Sequence, residues 1–137
     1  MNKNGGQYLP LSDTIKRVAV IGPHADWEEV MWGNYNGVPS STSTIIKGIR
    51  NHLSEATEVH YARGCGVIGE DRSGFDDAVK IAQKSDVAIL CLGLSQVVEG
   101  EEGQQEGLPE GEKALGDRAD IFLPGVQEDL LKVILEE

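Results

Sequence analysis

Arg17-Val18-Ala19-Val20-Ile21-Gly22-Pro23 is the stretch on which the fold turns. Its apolar residues follow one another without alternation and stop at Gly-Pro. That is the pattern of a strand covered on both faces in a parallel sheet. Downstream, Thr57-Glu58-Val59-His60-Tyr61-Ala62 alternates like a second strand and ends in Arg63-Gly64-Cys65-Gly66. Asp86 to Leu94 holds the third and most apolar strand, Val87 to Leu92.

Helical spacing fills the intervals. Ala25 to Met31 is read as one or two helical turns, followed by a loop rich in Gly, Asn and Pro, from Trp32 to Ser40. Thr42 or Ser43 then serves as N-cap to a helix whose apolar stripe is Ile45, Ile46, Ile49 and Leu53. Phe75, Ala78, Val79 and Ala82 mark a second helix that runs to about Lys84. Val126, Leu130, Leu131, Val133 and Ile134 mark a last one that runs into Glu137. The order β-α-β-α-β-loop-α predicts an α/β fold, a mainly parallel sheet with helices on both faces. No strand receives the last helix, so its apolar face is expected to want a partner.

Between the third strand and the last helix lies Gly93-Leu94-Ser95-Gln96-Val97-Val98-Glu99-Gly100-Glu101-Glu102, with Glu106, Glu110 and Glu112 beyond it. In parallel α/β sheets, ligand chemistry gathers past the carboxyl ends of strands. A loop of this length within a compact domain is seldom mere connection. Three readings are open. Charge runs are commonly a solvated surface. A calcium site lacks the alternating Asp/Asn ligands and closing Glu of an EF-hand. General acid catalysis suits the third reading, because glycosidic cleavage needs one carboxyl to protonate the departing oxygen and a second to attack or activate water. Crowded carboxylates keep one of their number protonated near neutral pH.

Composition removes other classes. A net charge of −11 over 137 residues, with no clustered Lys and Arg, is unsuited to a nucleic-acid surface. Cys65 and Cys91 form neither a disulfide framework nor a metal-ligand spacing, and Cys91 reads as a small buried hydrophobe. No run is long enough to span a bilayer, and Met1 does not open a signal peptide. No Gly-x-Gly-x-x-Gly turn follows the first strand, and Pro23 removes a backbone donor where a pyrophosphate would need one. No cofactor and no metal site is expected.

Several pieces, in order and spacing, resemble the C-terminal α/β sandwich domain of family 3 glycoside hydrolases, the β-glucosidase and β-xylosidase family. They are Val18 to Pro23 with Ala25-Asp26, the Gly33-Asn34-Tyr35-Asn36-Gly37 loop, Val87 to Leu94 leading into Glu99-Gly100-Glu101, Asp117-Arg118, and Leu123-Pro124-Gly125-Val126-Gln127. The Glu-Gly-Glu-Glu form, with an insertion before Asp-Arg, looks most like the β-xylosidase branch. The resemblance implies a lead-in or linker over residues 1–15 and a truncated sandwich domain over residues 16–137.

It also implies a retaining, exo-acting enzyme that takes oligosaccharides or aryl glycosides. A separate N-terminal (β/α)8 barrel would supply the aspartate nucleophile, and the general acid/base would fall on Glu101, with Glu99 and Glu102 as fallback positions. The parent would be secreted or periplasmic. Asp117-Arg118 is read as a charge pair that pins the return of the loop. Trp32 and Tyr35 either pack beneath their loop or stack on a sugar. His24 stands where a more ordinary polar residue is expected, and His52 and His60 are read as surface and strand residues. Two rivals remain: a non-catalytic binding or interaction module with a solvated acidic loop, and a flavodoxin-like or nucleotide-binding regulator.

Overall fold

The computed structural model describes residues 9–33, 35, 37–99 and 120–136. Three parallel strands, β1 (Arg17–Ile21), β2 (Glu58–Ala62) and β3 (Val87–Leu90), form a sheet in the order β2-β1-β3. β1 is central. Its register places Val18 beside Val59 on one side and Val87 on the other, and Val20 beside Tyr61 and Ile89.

Because β1 has a neighbour on each edge and a helical layer on each face, residues Val18 to Ile21 are all fully buried. Successive side chains point to opposite faces. Val18 and Val20 meet α1 (Ile45–His52) through Ile45, Ile46 and Ile49. Ala19 and Ile21 meet α2 (Phe75–Gln83) and α4 (Gln127–Leu135) through Ala78, Leu130 and Ile134. Helices therefore cover both faces, as the β-α-β-α-β order predicts.

Four local expectations are corrected. The N-cap of α1 is Thr44 rather than Thr42 or Ser43: its hydroxyl accepts from the Lys47 N–H at 3.3 Å and donates to Asp26 at 2.8 Å. Asp26 fixes the residue that caps, a partner invisible from spacing alone. Ala25 to Met31 yields a single 3-10 turn, Glu29–Met31, because Ala25 and the residues before it are drawn into backbone contacts with β3 and α1. β3 ends at Leu90 rather than Leu92.

The fourth concerns the last helix. Rather than lacking a partner, α4 buries Val126, Leu130 and Ile134 against α2 and the sheet. The open apolar surface is on the other face, a groove of about 380 Å³ lined by Leu11, Val18, Ile45, Ile49, Leu53 and Ile89.

At the carboxyl end of β1, Gly22 lets the backbones of β1 and β3 cross closely. It has φ +132°, and a Cβ there would stand 2.3 Å from the Cys91 carbonyl oxygen. The Cys91 N–H reaches Ile21 O at 2.7 Å, so the ladder continues one residue past β3.

Candidate active site

All three strands release their chains at the same edge, and those chains meet around Gly93 and Gln127. Gln127, the first residue of α4, is fully buried there. Its amide oxygen accepts from the Gly93 N–H at 2.8 Å, and its amide nitrogen donates to Val67 O at 2.7 Å and Gly93 O at 3.0 Å. The same Gly93 carbonyl lies 2.9 Å from His24 Nε2. A carbonyl can only accept, so Nε2 carries the hydrogen. His24 is buried and stacks on Trp27 with ring centroids 5.6 Å apart. Thus the loop after β1 and the start of α4 both hold one glycine, and Gln127 ties the loop after β2 to the same point. Gly93 has φ +148° with open space around its missing Cβ, so the backbone direction, and not crowding, calls for glycine.

The arm that leaves Gly93 enters a short helix. Ser95 caps α3 (Gln96–Glu99), its hydroxyl accepting from the Val98 N–H at 3.3 Å. Val98 is fully buried with Val67 and Ile68, and Trp27 packs against them. The Gln96 amide donates to Glu29 O at 2.7 Å, which ties the arm to the 3-10 turn after β1. Glu99 is exposed at the end of α3. Glu101 and Glu102 lie outside the described residues, as do Glu106, Glu110, Glu112 and the Asp117-Arg118 pair. The structure thus brings Glu99 to the carboxyl edge and describes the arm as far as that residue.

Other candidates fall as follows. Trp32 is half-buried, its indole N–H donating to the Thr42 hydroxyl at 3.0 Å, whereas Tyr35 is 94% exposed at φ +58°. Packing beneath the loop therefore fits Trp32 and not Tyr35. His60 sits half-exposed on β2 beside Glu58 at 3.3 Å, and His52 lies on α1. Both cysteines are buried, and burial pushes the Cys91 thiol above its ordinary range. That leaves an inert side chain.

A cavity of about 480 Å³ opens after β2, lined by Arg63, Cys65, Glu70, Asp71 and Ser73 among others. Hydrogen bonds from the Ser73 N–H and hydroxyl hold the Asp71 carboxyl below its usual range. Among the described residues, no group of three or more His, Cys, Asp or Glu could hold a metal ion. None of the described helices is long and apolar enough to cross a membrane.

Residues 2–137 match the model of the glycosyl hydrolase family 3 C-terminal domain. The chain belongs to that family. A β-xylosidase of Formosa agariphila is 33% identical over 98% of this chain and 18% of its own length. β-D-xylosidase 3 of Arabidopsis thaliana is 38% identical over 94% of this chain and 14% of its own. The chain thus spans less than a fifth of the length of these relatives. Among solved structures, a family 3 exo-β-xylosidase in complex with a xylobiose aziridine activity-based probe superposes with a TM-score of 0.75. It is 33% identical, over 94% of this chain and 15% of that one. A β-glucosidase from Erythrobacter marinus gives a TM-score of 0.74 at 26% identity, over 96% of this chain and 20% of its own.

Within this family 3 domain, sequence reasoning located the arm but not what fastens it. Gln127 stands in the quoted Leu-Pro-Gly-Val-Gln stretch without an assigned role. A polar residue at the first position of an amphipathic helix reads as solvent-facing, and only the fold reveals that it is buried. His24, which stands where a more ordinary polar residue is expected, reaches the same carbonyl. The one available signal was the placing of an amide and an imidazole beside strand-ending glycine turns.

Proposed function

We propose that this chain is the acid/base-bearing domain of a retaining, exo-acting β-glycosidase of the β-xylosidase type. The observation that carries the reading is identity of 33–38% to β-xylosidases along nearly the whole chain. Residues 16–137 would form the domain and residues 1–15 its lead-in. An N-terminal (β/α)8 barrel would be its partner, and the terminal β-linked sugar of an oligosaccharide or aryl glycoside its substrate.

The chemistry divides between two bodies. An aspartate of the barrel attacks the anomeric carbon, the glycosidic C–O bond breaks, and the leaving oxygen takes the proton of Glu101. The Glu101 carboxylate then removes a proton from water as that water attacks the same carbon. The ester bond breaks, the aspartate is restored and configuration is retained. Retention asks for carboxyl groups about 5 Å apart, so the arm must reach across a domain boundary.

The placing of exposed apolar side chains supports a neighbour on this side. Met31, Tyr35, Val38, Leu94, Ile121 and Phe122 are all exposed on connections leaving the carboxyl ends of β1 and β3. Exposed apolar surface is where partners dock.

Substitution of Glu101 in the full-length protein tests the reading. Glu101→Ala should lose hydrolysis of xylobiose by orders of magnitude while sparing kcat/KM, though not kcat, for aryl xylosides with good leaving groups, because water attack still lacks its base. Near-wild-type activity on xylobiose would move the acid to Glu99 or Glu102, or leave the arm without chemistry. The 137-residue chain alone should not turn over an aryl β-xyloside, and measurable turnover would refute the division between two bodies.

A further inference from the structure

We infer that Gln127 is a positioning residue for the catalytic arm. With His24, it fixes the direction in which the chain leaves the sheet at Gly93. The inference rests on the reading that the arm carries the proton donor. Its physical basis is the convergence at Gly93. The N–H of this residue is taken by the Gln127 amide oxygen, and its carbonyl by both the Gln127 amide nitrogen and His24 Nε2. Both polar groups of one peptide residue are thereby set by buried side chains from α4 and from the loop after β1.

The other Gln127 donation, to Val67 O, ties this residue to the loop that packs under Val98. Gly93 itself has φ +148°, where an L side chain is strained, and nothing lies within 4 Å of a Cβ built on it. Only two residues separate Gly93 from α3, and Glu101 follows α3 by two more. A shift at Gly93 is therefore passed directly to α3, the last described part of the arm. For groups held in reacting geometry, a misplacement of about 1 Å costs roughly 100-fold.

A buried amide could instead serve stability alone, and kinetics separates the two roles. A positioning fault in the acid slows the step that needs protonation, so in kcat/KM, which reports formation of the glycosyl-enzyme, it is felt by poor leaving groups and spared by good ones. A loss of folded protein lowers every substrate equally.

The experiment uses the full-length protein with Gln127→Met, Gln127→Glu and Gly93→Ala, against Glu101→Ala, all well below their unfolding temperatures. Substrates are xylobiose and 2,4-dinitrophenyl β-xyloside. Gln127→Met should lower kcat/KM for xylobiose by about 10–100-fold. The dinitrophenyl substrate should change less than about threefold, with the loss in kcat rather than KM. Gln127→Glu keeps an acceptor for the Gly93 N–H and should recover part of the loss. Gly93→Ala, which leaves the buried amide in place, should reproduce the same substrate split even if Gln127→Met folds poorly.

Equal loss on both substrates in the Gln127 and Gly93 variants, beside a clear split for Glu101→Ala, would overturn the positioning role and leave the acid assignment standing. A split that appears for Glu99→Ala or Glu102→Ala instead of Glu101→Ala keeps both the arm and its anchor. If no carboxylate of the arm gives the split, the acid reading fails and the positioning role fails with it.

Discussion

At the amino edge of the sheet, one exposed carboxylate, Asp86, accepts from the N–H groups of Lys16 and Arg17 at 2.9 Å each. At the carboxyl edge, a fully buried amide, Gln127, joins Val67 and Gly93 at 2.7–3.0 Å. Both devices clasp β3 to its surroundings, but they differ in charge and in access to water. The exposed clasp is ionic, screened and replaceable by water. The buried clasp is neutral, and each group left unmatched there carries its full desolvation cost. Precision is therefore concentrated on the side from which the arm departs.

That contrast is sharpened most by activity. In the full-length protein, Glu101→Ala should cut xylobiose hydrolysis by about 100- to 10,000-fold, the range for losing a general acid. Asp86→Asn should leave kcat/KM on the same substrate within about twofold, as expected for a surface change remote from the chemistry. A comparable loss in both variants would erase the distinction between the two edges.

Stability gives the next effect. Gly22→Ala should destabilise the chain by at least about 3 kcal/mol, from left-handed strain together with overpacking against backbone. The new Cβ would meet the Cys91 carbonyl at 2.3 Å, a neighbour that cannot step aside. Urea unfolding with an unchanged slope would measure it. A change under 1 kcal/mol, on the order of an ordinary surface substitution, would mean that the carboxyl edge is looser than described.

Gln127→Met should cost about 2–4 kcal/mol in the same assay, since it strands the Gly93 N–H and the Val67 carbonyl in the interior. A smaller cost would show that water reaches this hub and that the edges are alike.

The smallest effect belongs to Asp86. Backbone donation from Lys16 and Arg17 lowers its pKa. A carboxylate whose pKa is depressed by folding contributes stability above its unfolded value of about 3.9, lost as pH falls through the lower folded value. Acid unfolding followed by circular dichroism should therefore show a weaker pH dependence below about pH 4 in Asp86→Asn than in the native chain. An unchanged acid profile would remove Asp86 from the account of the amino edge.

Much of the fold was legible because burial leaves a pattern in composition. Val18 to Ile21 is apolar at every position, and that is what a central parallel strand requires. The stripes of Ile46 and Ile49, and of Leu130 and Ile134, reveal which faces of their helices turn inward. Boundaries were less legible because they are set by contacts distant in sequence. Asp26, from the loop after β1, takes the Thr44 hydroxyl and so defines the start of α1.

The site was legible only as a cluster of acidic residues past an apolar strand. Residues 100–119, which carry Glu101, are outside the described structure, so the acid/base role that the resemblance implies for Glu101 stands as a proposal. Gln127 and His24 were hidden for a different reason. Buried polar residues have no periodic signature, and their partners are backbone atoms that any sequence supplies.

Trapping the covalent intermediate tests the central claim most directly. In full-length Glu101→Ala, azide added with 2,4-dinitrophenyl β-xyloside should restore turnover and yield β-xylosyl azide, identifiable by NMR. Azide, unlike water, needs no general base to attack the glycosyl-enzyme. Formation of α-xylosyl azide, or unassisted xylobiose hydrolysis at the native rate, would contradict a retaining mechanism with Glu101 as its acid and base.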